Sequence, residues 1–112
     1  MTPDVAVEFN FYVTYFFVII VKEGKPSDEE LETLSQLIAE GWKPLGRRLG
    51  MDESRLTGFH KDNKEYSEKA YQMLLFWKQR EASAATYQVL HDALGHSLVN
   101  RRDLAEKICG YK

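Results

Sequence analysis

From Ser27 onward, apolar residues recur three and four positions apart, which is the spacing of one face of an α-helix. Polar and charged residues fill the positions between them, so each segment predicts an amphipathic helix with one buried face. Six such segments predict an all-α bundle around one core. Their inward positions are Leu31, Leu34, Leu37 and Ile38; Trp42, Leu45 and Leu49; Leu56 and Phe59; Ala70, Met73, Leu74 and Trp77; Val89, Leu90, Ala93 and Leu94; and Leu104 and Ile108.

Residue types that start and stop helices mark the boundaries between these segments. Ser27 and Glu30 have the spacing of a capping box at the start of the first predicted helix, which should end near Glu40. Pro44 suits the first turn of the second helix, and Gly50 suits the left-handed residue that follows it. The other predicted boundaries are Asp52 at the start of the third helix, Asp62 with Glu65 and then Glu81 for the fourth, Ser83 or Ala84 and then Gly95 for the fifth, and Asn100 and Gly110 for the sixth.

The first 21 residues follow a different pattern. Every odd position from Val5 to Val21 is apolar, and many of these residues are aromatic or β-branched, which favours a β-strand. The most apolar part, from Phe11 to Val21, is shorter than the about 20 residues that span a bilayer. A membrane or signal-anchor remnant and a helix packed on the bundle stay open as alternatives. Because Lys22 to Pro26 reads as a polar linker, we predict an apolar extension over residues 1–25 and a helical domain over residues 26–112.

The charges are nearly balanced but unevenly placed. Fifteen Lys and Arg against 17 Asp and Glu give a net charge of −2, so the composition indicates no general attraction to nucleic acid. The single cysteine, Cys109, excludes an internal disulfide and agrees with a reducing compartment, so we expect a cytoplasmic protein. The first predicted helix carries an acidic cluster, which comprises Asp28, Glu29, Glu30 and Glu32. The next two carry a basic cluster, which comprises Arg47, Arg48 and Arg55.

The sequence offers no arrangement typical of catalysis or of cofactor binding. His91 and His96 are five positions apart and diverge on a helix, while His60 lies far from both, so no zinc-binding pair is formed. Cys109 has no histidine close to it in sequence, and no phosphate-binding glycine loop or nucleophile elbow occurs. We therefore expect a protein that binds other proteins, with no catalytic residue, metal or cofactor.

Short motifs in four of the predicted helices occur in the order and spacing of one family. With them, residues from about Ser27 to Tyr111 resemble the death domain, a six-helix antiparallel Greek-key bundle. Both tryptophans favour it over the related effector, caspase-recruitment and pyrin classes. The motifs are Gly41-Trp42-x-x-Leu45-x-x-x-Leu49-Gly50, Leu74-x-x-Trp77, Ala85-Thr86-x-x-x-Leu90-x-x-Ala93-Leu94 and Asp103-Leu104-Ala105.

The resemblance implies homotypic pairing with other death-domain proteins, including self-association, in the oligomeric assemblies of apoptosis and innate immunity. Several weak patches on each subunit would give avidity in such assemblies. The family's surfaces would lie here on the second and third helices, on the first and fourth helices, and between the fifth and sixth helices. Their residues are Arg47, Arg48, Asp52 and Arg55; Glu29, Glu32, Lys78 and Arg80; and Asn100, Arg101 and Arg102.

Two alternatives concern the protein that surrounds this domain. The bundle could be a structural or regulatory module of a larger protein, as in ankyrins and netrin receptors, without signalling assembly. Contact with a membrane is expected only if the N-terminal apolar stretch is an anchor remnant, as the membrane helix of death receptors suggests. In that case Lys22 would lie on the cytoplasmic side.

Overall fold

Helices account for most of residues 21–111, the part of the chain that the computed structural model describes. In chain order they are α1 (Asp28–Ile38), a 3₁₀ turn (Ala39–Gly41), α2 (Trp42–Arg48), α3 (Glu53–Asp62), α4 (Tyr66–Glu81), a second 3₁₀ turn (Ala82–Ala84), α5 (Tyr87–Gly95) and α6 (Arg102–Cys109). Between residues 21 and 111 no β-strand is present, and the predicted all-α class is confirmed.

The two tryptophans lie at the centre of the core, and each is 1% exposed. Trp42 reaches the core from α2 and Trp77 from α4, which packs against α1, α2 and α3. α5 and α6 pair with each other and close the other side. Most predicted inward positions are confirmed as buried: Leu31, Leu34, Ile38, Leu45, Leu49, Leu56, Ala70, Met73, Leu74, Leu90, Ala93, Leu94, Leu104 and Ile108.

Two predicted inward positions are wrong. Leu37 on α1 is 39% exposed and Val89 on α5 is 42% exposed, because each lies at the edge of its helix's buried stripe. Ser35 is buried in α1 in place of Leu37, and its hydroxyl donates to the carbonyl of Glu32 at 2.6 Å. Phe59 is only partly buried and packs at the margin of the core.

Three of the predicted helix boundaries are confirmed in atomic detail. The Ser27 hydroxyl accepts from the Glu30 amide at 3.1 Å, and the Glu30 carboxylate accepts from the Ser27 amide at 2.9 Å. The Asp52 carboxylate caps α3 by accepting from the Arg55 amide. Gly50 follows α2 with a φ of +90°, a left-handed conformation that residues with a Cβ rarely adopt.

The predicted start of the fourth helix is wrong. α3 continues through Asp62, and α4 begins at Tyr66 after Glu65, whose side chain makes no capping hydrogen bond. The end of α3 is held from α4 instead, since the Lys69 ammonium donates to the carbonyls of His60, at 2.8 Å, and Asn63. The boundary between α3 and α4 is therefore set by a contact between these two helices, whereas the local residue spacing predicts a helix start at Asp62.

The predicted starts of the fifth and sixth helices are also wrong. Ser83 and Ala84 belong to a 3₁₀ turn, and Thr86 caps α5 by accepting from the Val89 amide at 3.2 Å. Asn100 has a φ of +57° and lies outside α6, whose N-cap is Arg101. Ser83 and Asn100 therefore lie where the chain turns between helices and do not cap the helices as expected.

The segment from Val21 to Pro26 is packed onto the bundle, although its composition predicts a linker. Val21 is 7% exposed and forms an antiparallel bridge with Gly110, so it is wrong to place this last residue of the apolar stretch outside the bundle. The Lys22 amide donates to the Cys109 carbonyl at 2.8 Å. The predictions for positions 5–20 lie outside the described residues.

The described helices also bear on contact with a membrane. None of the helices between residues 21 and 111 combines the length and the apolar character needed to cross a bilayer.

Candidate protein-docking surface

An acidic surface lies on the exposed side of α1. Glu29 and Glu32 are exposed, and within residues 21–111 neither carboxylate has an ion pair or a hydrogen bond. Asp28, beside them, forms a 2.8 Å ion pair with Lys78 of α4. That pair fixes the start of α1 against α4, and Lys78 is therefore committed inside the molecule rather than to the predicted docking surface.

A basic surface lies where α2 turns into α3. The turn is a Schellman motif, in which the Gly50 amide donates to the Arg47 carbonyl and the Met51 amide donates to the Gly46 carbonyl. The side chain of Arg47 donates to both carboxylate oxygens of Glu53, at 2.6 and 3.2 Å. Arg48 is exposed, and we find no partner for it in the described part of the chain.

Arg80, the other predicted basic residue of α4, binds the same α2–α3 turn from α4. Its guanidinium donates to the carbonyls of Leu49, at 2.7 Å, and Gly50, at 3.3 Å, and to the Glu81 carboxylate at 2.7 Å. A cation at the end of a helix satisfies carbonyls that have no partner within the helix. Arg80 therefore holds α2 onto α4, and few of its donors are left for another protein.

Arg55 is exposed on α3 and lies over the aromatic ring of Phe76, with 4.2 Å between the guanidinium carbon and the ring centroid. Asp52, close to it, is committed to the cap, and hydrogen bonds from the Arg55 amide and the Ser54 hydroxyl lower the pKa of its carboxyl. Hydrogen bonding to Arg47 likewise lowers the pKa of Glu53. These carboxylates keep their negative charge inside the basic surface and moderate it.

The third predicted surface is the α5–α6 connection. Arg101 donates to both carboxylate oxygens of Asp103 at 3.0 Å, and this pairing raises the pKa of Arg101. Arg102 and Asn100 are exposed. Leu98, which the sequence reasoning missed, is 67% exposed at the tip of this loop. Its position between two helices, off any helical stripe, is the signal that could have indicated exposure.

The intramolecular contacts divide the predicted site residues into two groups. Arg47, Asp52, Lys78, Arg80 and Arg101 are tied to partners within the molecule. The predicted site residues of α1, α2 and α3 that have no ion pair or side-chain hydrogen bond within residues 21–111 form two sets. We call Glu29 and Glu32 the acidic α1 face, and Arg48 and Arg55 the basic α2–α3 face.

Two polar clusters, one buried and one half-buried, escaped the sequence reasoning. Lys69 is 5% exposed, and its place beside the inward residues Ala70 and Met73 could have indicated a buried amine. Glu30 accepts from Lys22 at 2.7 Å and from the hydroxyl of Tyr87, beyond its role in the capping box. The second cluster joins distant parts of the chain, so no local signal could have revealed it.

The pKa values of Glu30 and Tyr87 in this second cluster are strongly shifted. Burial alone would raise the pKa of Glu30, but the hydrogen bonds from Lys22, the Ser27 amide and Tyr87 outweigh it and lower that pKa to about 2. Burial and the bond to Glu30 raise the pKa of Tyr87 to about 12. These pKa shifts result from hydrogen bonds that join α1, α5 and the segment before α1, so they reflect a structural contact.

The structure shows no sign of catalysis at the cysteine and histidines weighed from the sequence, within residues 21–111. Cys109 is fully buried, and burial raises the pKa of its thiol to about 12. Within the described range, no group of three His, Cys, Asp or Glu side chains is arranged to hold a metal ion. His96 accepts from the Leu98 amide at 3.0 Å, which gives it a role in the loop.

The family model described as "Death domain" matches residues 28–111, from the first residue of α1 to the residue after Gly110. This chain belongs to the death-domain family. Death domains are noncatalytic interaction modules, so the family membership indicates that this domain binds protein.

The death domain also matches part of two curated relatives. It is 32% identical over 89 residues to human (Homo sapiens) THO complex subunit 1, and 30% identical over 89 residues to the mouse (Mus musculus) protein of the same name. Each match covers 79% of this chain and 13% of the relative. The chain therefore spans about an eighth of the length of the relatives it matches.

Proposed function

We propose that this death domain is a homotypic docking module in which the acidic α1 face of one copy contacts the basic α2–α3 face of the next. One observation carries the proposal: Glu29, Glu32, Arg48 and Arg55 are exposed, and none of their charged groups has an ion pair or hydrogen bond in residues 21–111, whereas most neighbouring charges are paired. The six helices α1–α6 would form the family's Greek-key bundle and present the two faces on different elements.

The charges would mainly determine how fast and with which partner the module binds. An exposed ion pair contributes only about 0.2–1 kcal/mol, so two such pairs do not give tight binding on their own. Because the faces differ, the contact joins head to tail, and repeated contacts form rings or helices. Many weak contacts within one assembly then add to a strong one, as expected of the family's oligomeric signalling complexes.

Charge reversal tests this proposal. The double variant Arg48→Glu and Arg55→Glu should abolish concentration-dependent self-association, measured by light scattering during size-exclusion chromatography, because it presents acidic groups to the acidic α1 face. Its matched control is Lys25→Glu with Lys64→Glu, which changes charge equally at exposed residues outside both faces. Self-association that survives the Arg48 and Arg55 reversal, with circular dichroism unchanged, would contradict the proposed faces.

A second function is favoured by the relatives. Their name describes them as subunits of a complex, and this domain corresponds to only 13% of their length. The domain could therefore be a stationary module inside a large subunit, which docks on another component without self-assembly. A wild-type chain that stays monomeric at every concentration and salt strength would support this function over homotypic assembly.

A further inference from the structure

Arg55 differs from the other arginines around the α2–α3 turn. Arg47 donates to Glu53, and Arg80 donates to two backbone carbonyls and Glu81. The guanidinium of Arg55 donates to no acceptor in residues 21–111, yet it is held in place over the ring of Phe76, 4.2 Å from the centroid. An arginine that is positioned but unbonded keeps its full set of N–H donors for an external acceptor.

The ring beneath Arg55 is itself fixed. Phe76 is partly buried and packs against the core, and Phe59 meets it edge to face with 5.9 Å between centroids. Arg80, anchored on the Leu49 carbonyl, lies 5.8 Å from the same ring. Two guanidinium groups near one ring also repel each other, and a bound anion would relieve this repulsion.

The chemistry of this arrangement selects a carboxylate. A guanidinium stacked on an aromatic ring keeps its planar N–H edge for bidentate bonding, which a lysine ammonium cannot reproduce. Stacking also reduces the side-chain entropy that binding would otherwise remove. Asp52, the nearby acidic residue, makes no hydrogen bond or ion pair with the Arg55 guanidinium, and its Oδ1 accepts from the Arg55 amide and the Ser54 hydroxyl instead.

We infer that Phe76 is a positioning residue that makes Arg55 a receptor for one carboxylate, supplied by Glu29 or Glu32 of a second copy of this chain. The choice of occupant rests on the docking proposed above and on charge complementarity, since the acidic α1 face carries exposed carboxylates without a partner among residues 21–111. Affinity at this contact then depends on the geometry of Arg55 as well as on its charge.

Two variants isolate the contact for measurement. The acid-reversed variant carries Glu29→Lys and Glu32→Lys and keeps only the basic face, whereas the base-neutral variant carries Arg48→Gln and Arg55→Gln, which leaves no acidic counterpart for the new lysines, and keeps only the acidic face. Neither can form a chain of copies, so their mixture should form a single pair whose Kd is measurable by titration calorimetry. If the mixture forms no pair, both the docking proposal and this inference are overturned.

Arg55→Lys within the acid-reversed variant then tests the role of the ring. It keeps the charge but loses the bidentate edge, so binding to the base-neutral variant should weaken about five- to tenfold. After Phe76→Leu, which keeps apolar volume but removes the ring face, Arg55→Lys should have no further effect. After the matched control Phe59→Leu, it should keep its full effect.

Two results would overturn the inference while the docking proposal survives. One is a pair whose Kd is unchanged by Arg55→Lys, which would show that charge alone is recognised. The other is a full effect of Arg55→Lys in the Phe76→Leu background, which would show that the ring does not position the guanidinium. Thermal unfolding of each variant verifies that all of them are folded, and a purely structural role of Phe76 would not make Arg and Lys equivalent.

Discussion

Lys69 is a charged residue placed inside the bundle for a structural reason. Its ammonium is 5% exposed and donates to the carbonyls of His60 and Asn63, where α3 ends. Those carbonyls have no partner within their own helix, and a buried cation needs acceptors, so each satisfies the other. The contact ties the end of α3 to the start of α4.

Replacing Lys69 with Met should lower the free energy of unfolding by about 1–3 kcal/mol, because hydrogen bonds from a charged donor are lost while the volume is kept. Urea denaturation followed by circular dichroism measures the change. Lys64→Met, at an exposed position in the same α3–α4 connection, is the control and should change stability by less than about 0.5 kcal/mol. Equal effects of the two substitutions would contradict the capping role.

Glu30 should make stability depend on acid pH. Its pKa is about 2 in the folded chain against an ordinary value of 4.5, so its carboxylate binds its proton more readily when the chain is unfolded. Its contribution is complete above pH 4.5 and is lost as the pH falls from 4.5 towards 2. Glu30→Gln should therefore destabilise the domain at pH 7 by about 1–2 kcal/mol and have little effect near pH 2.

Denaturation curves at several pH values measure this dependence. Glu32→Gln, on the exposed side of the same helix, is the matched control and should leave the acid profile unchanged. A Glu30→Gln variant whose stability falls with acid as steeply as that of the wild type would show that other groups are responsible.

The helices themselves follow from local sequence, whereas their ends follow only in part. The i, i+3 and i+4 stripes predict nearly the whole core, and caps succeed where both partners lie within a few residues, as for Ser27 and Glu30. The start of α4 fails because Lys69, acting from the next helix, sets the end of α3. For the proposed docking surface, the sequence assigns the charges to helices but cannot show which are already paired, as Lys78 is with Asp28.

Trp77→Ala tests the packing of α4 against the other helices. Trp77 is 1% exposed, so removing its side chain should leave a cavity and lower the free energy of unfolding by about 3–5 kcal/mol, enough to unfold a marginal bundle. Tyr66→Ala, at the 49% exposed start of the same helix, is the control. A loss below about 1 kcal/mol for Trp77→Ala in chemical denaturation would contradict its place in the core.

Truncation tests the segment before α1. Removing residues 1–25 takes away the buried Val21 and the Lys22–Glu30 ion pair, whereas removing residues 1–20 keeps both. The longer truncation should therefore be less stable by about 2–4 kcal/mol, mainly through lost apolar burial. Gly24, with a φ of +97°, shapes this segment, and its carbonyl accepts from the Tyr87 amide at 2.9 Å. Equal thermal stability of the two truncated chains would mean that the segment contributes nothing to the bundle.

Across the whole domain, positive and negative charges are nearly equal in number but are concentrated on different helices. Its net charge of −2 conceals an acidic face on α1 and a basic face around the α2–α3 turn. Internal pairing reduces the predicted docking residues to a smaller set, in which Arg55 is positioned by an aromatic ring. Opposite faces on one subunit are what head-to-tail assembly requires, and salt should weaken that assembly because exposed charges are screened over about 8 Å at physiological ionic strength.

The decisive measurement is sedimentation velocity of the acid-reversed and base-neutral variants, each alone and then mixed in equal amounts. Homotypic docking through these faces predicts that each variant alone sediments as a monomer. It also predicts that the mixture forms a 1:1 pair, which dissociates as salt is raised. A mixture that sediments as monomers, while both variants keep the helical circular dichroism of the wild type, would contradict the proposed docking.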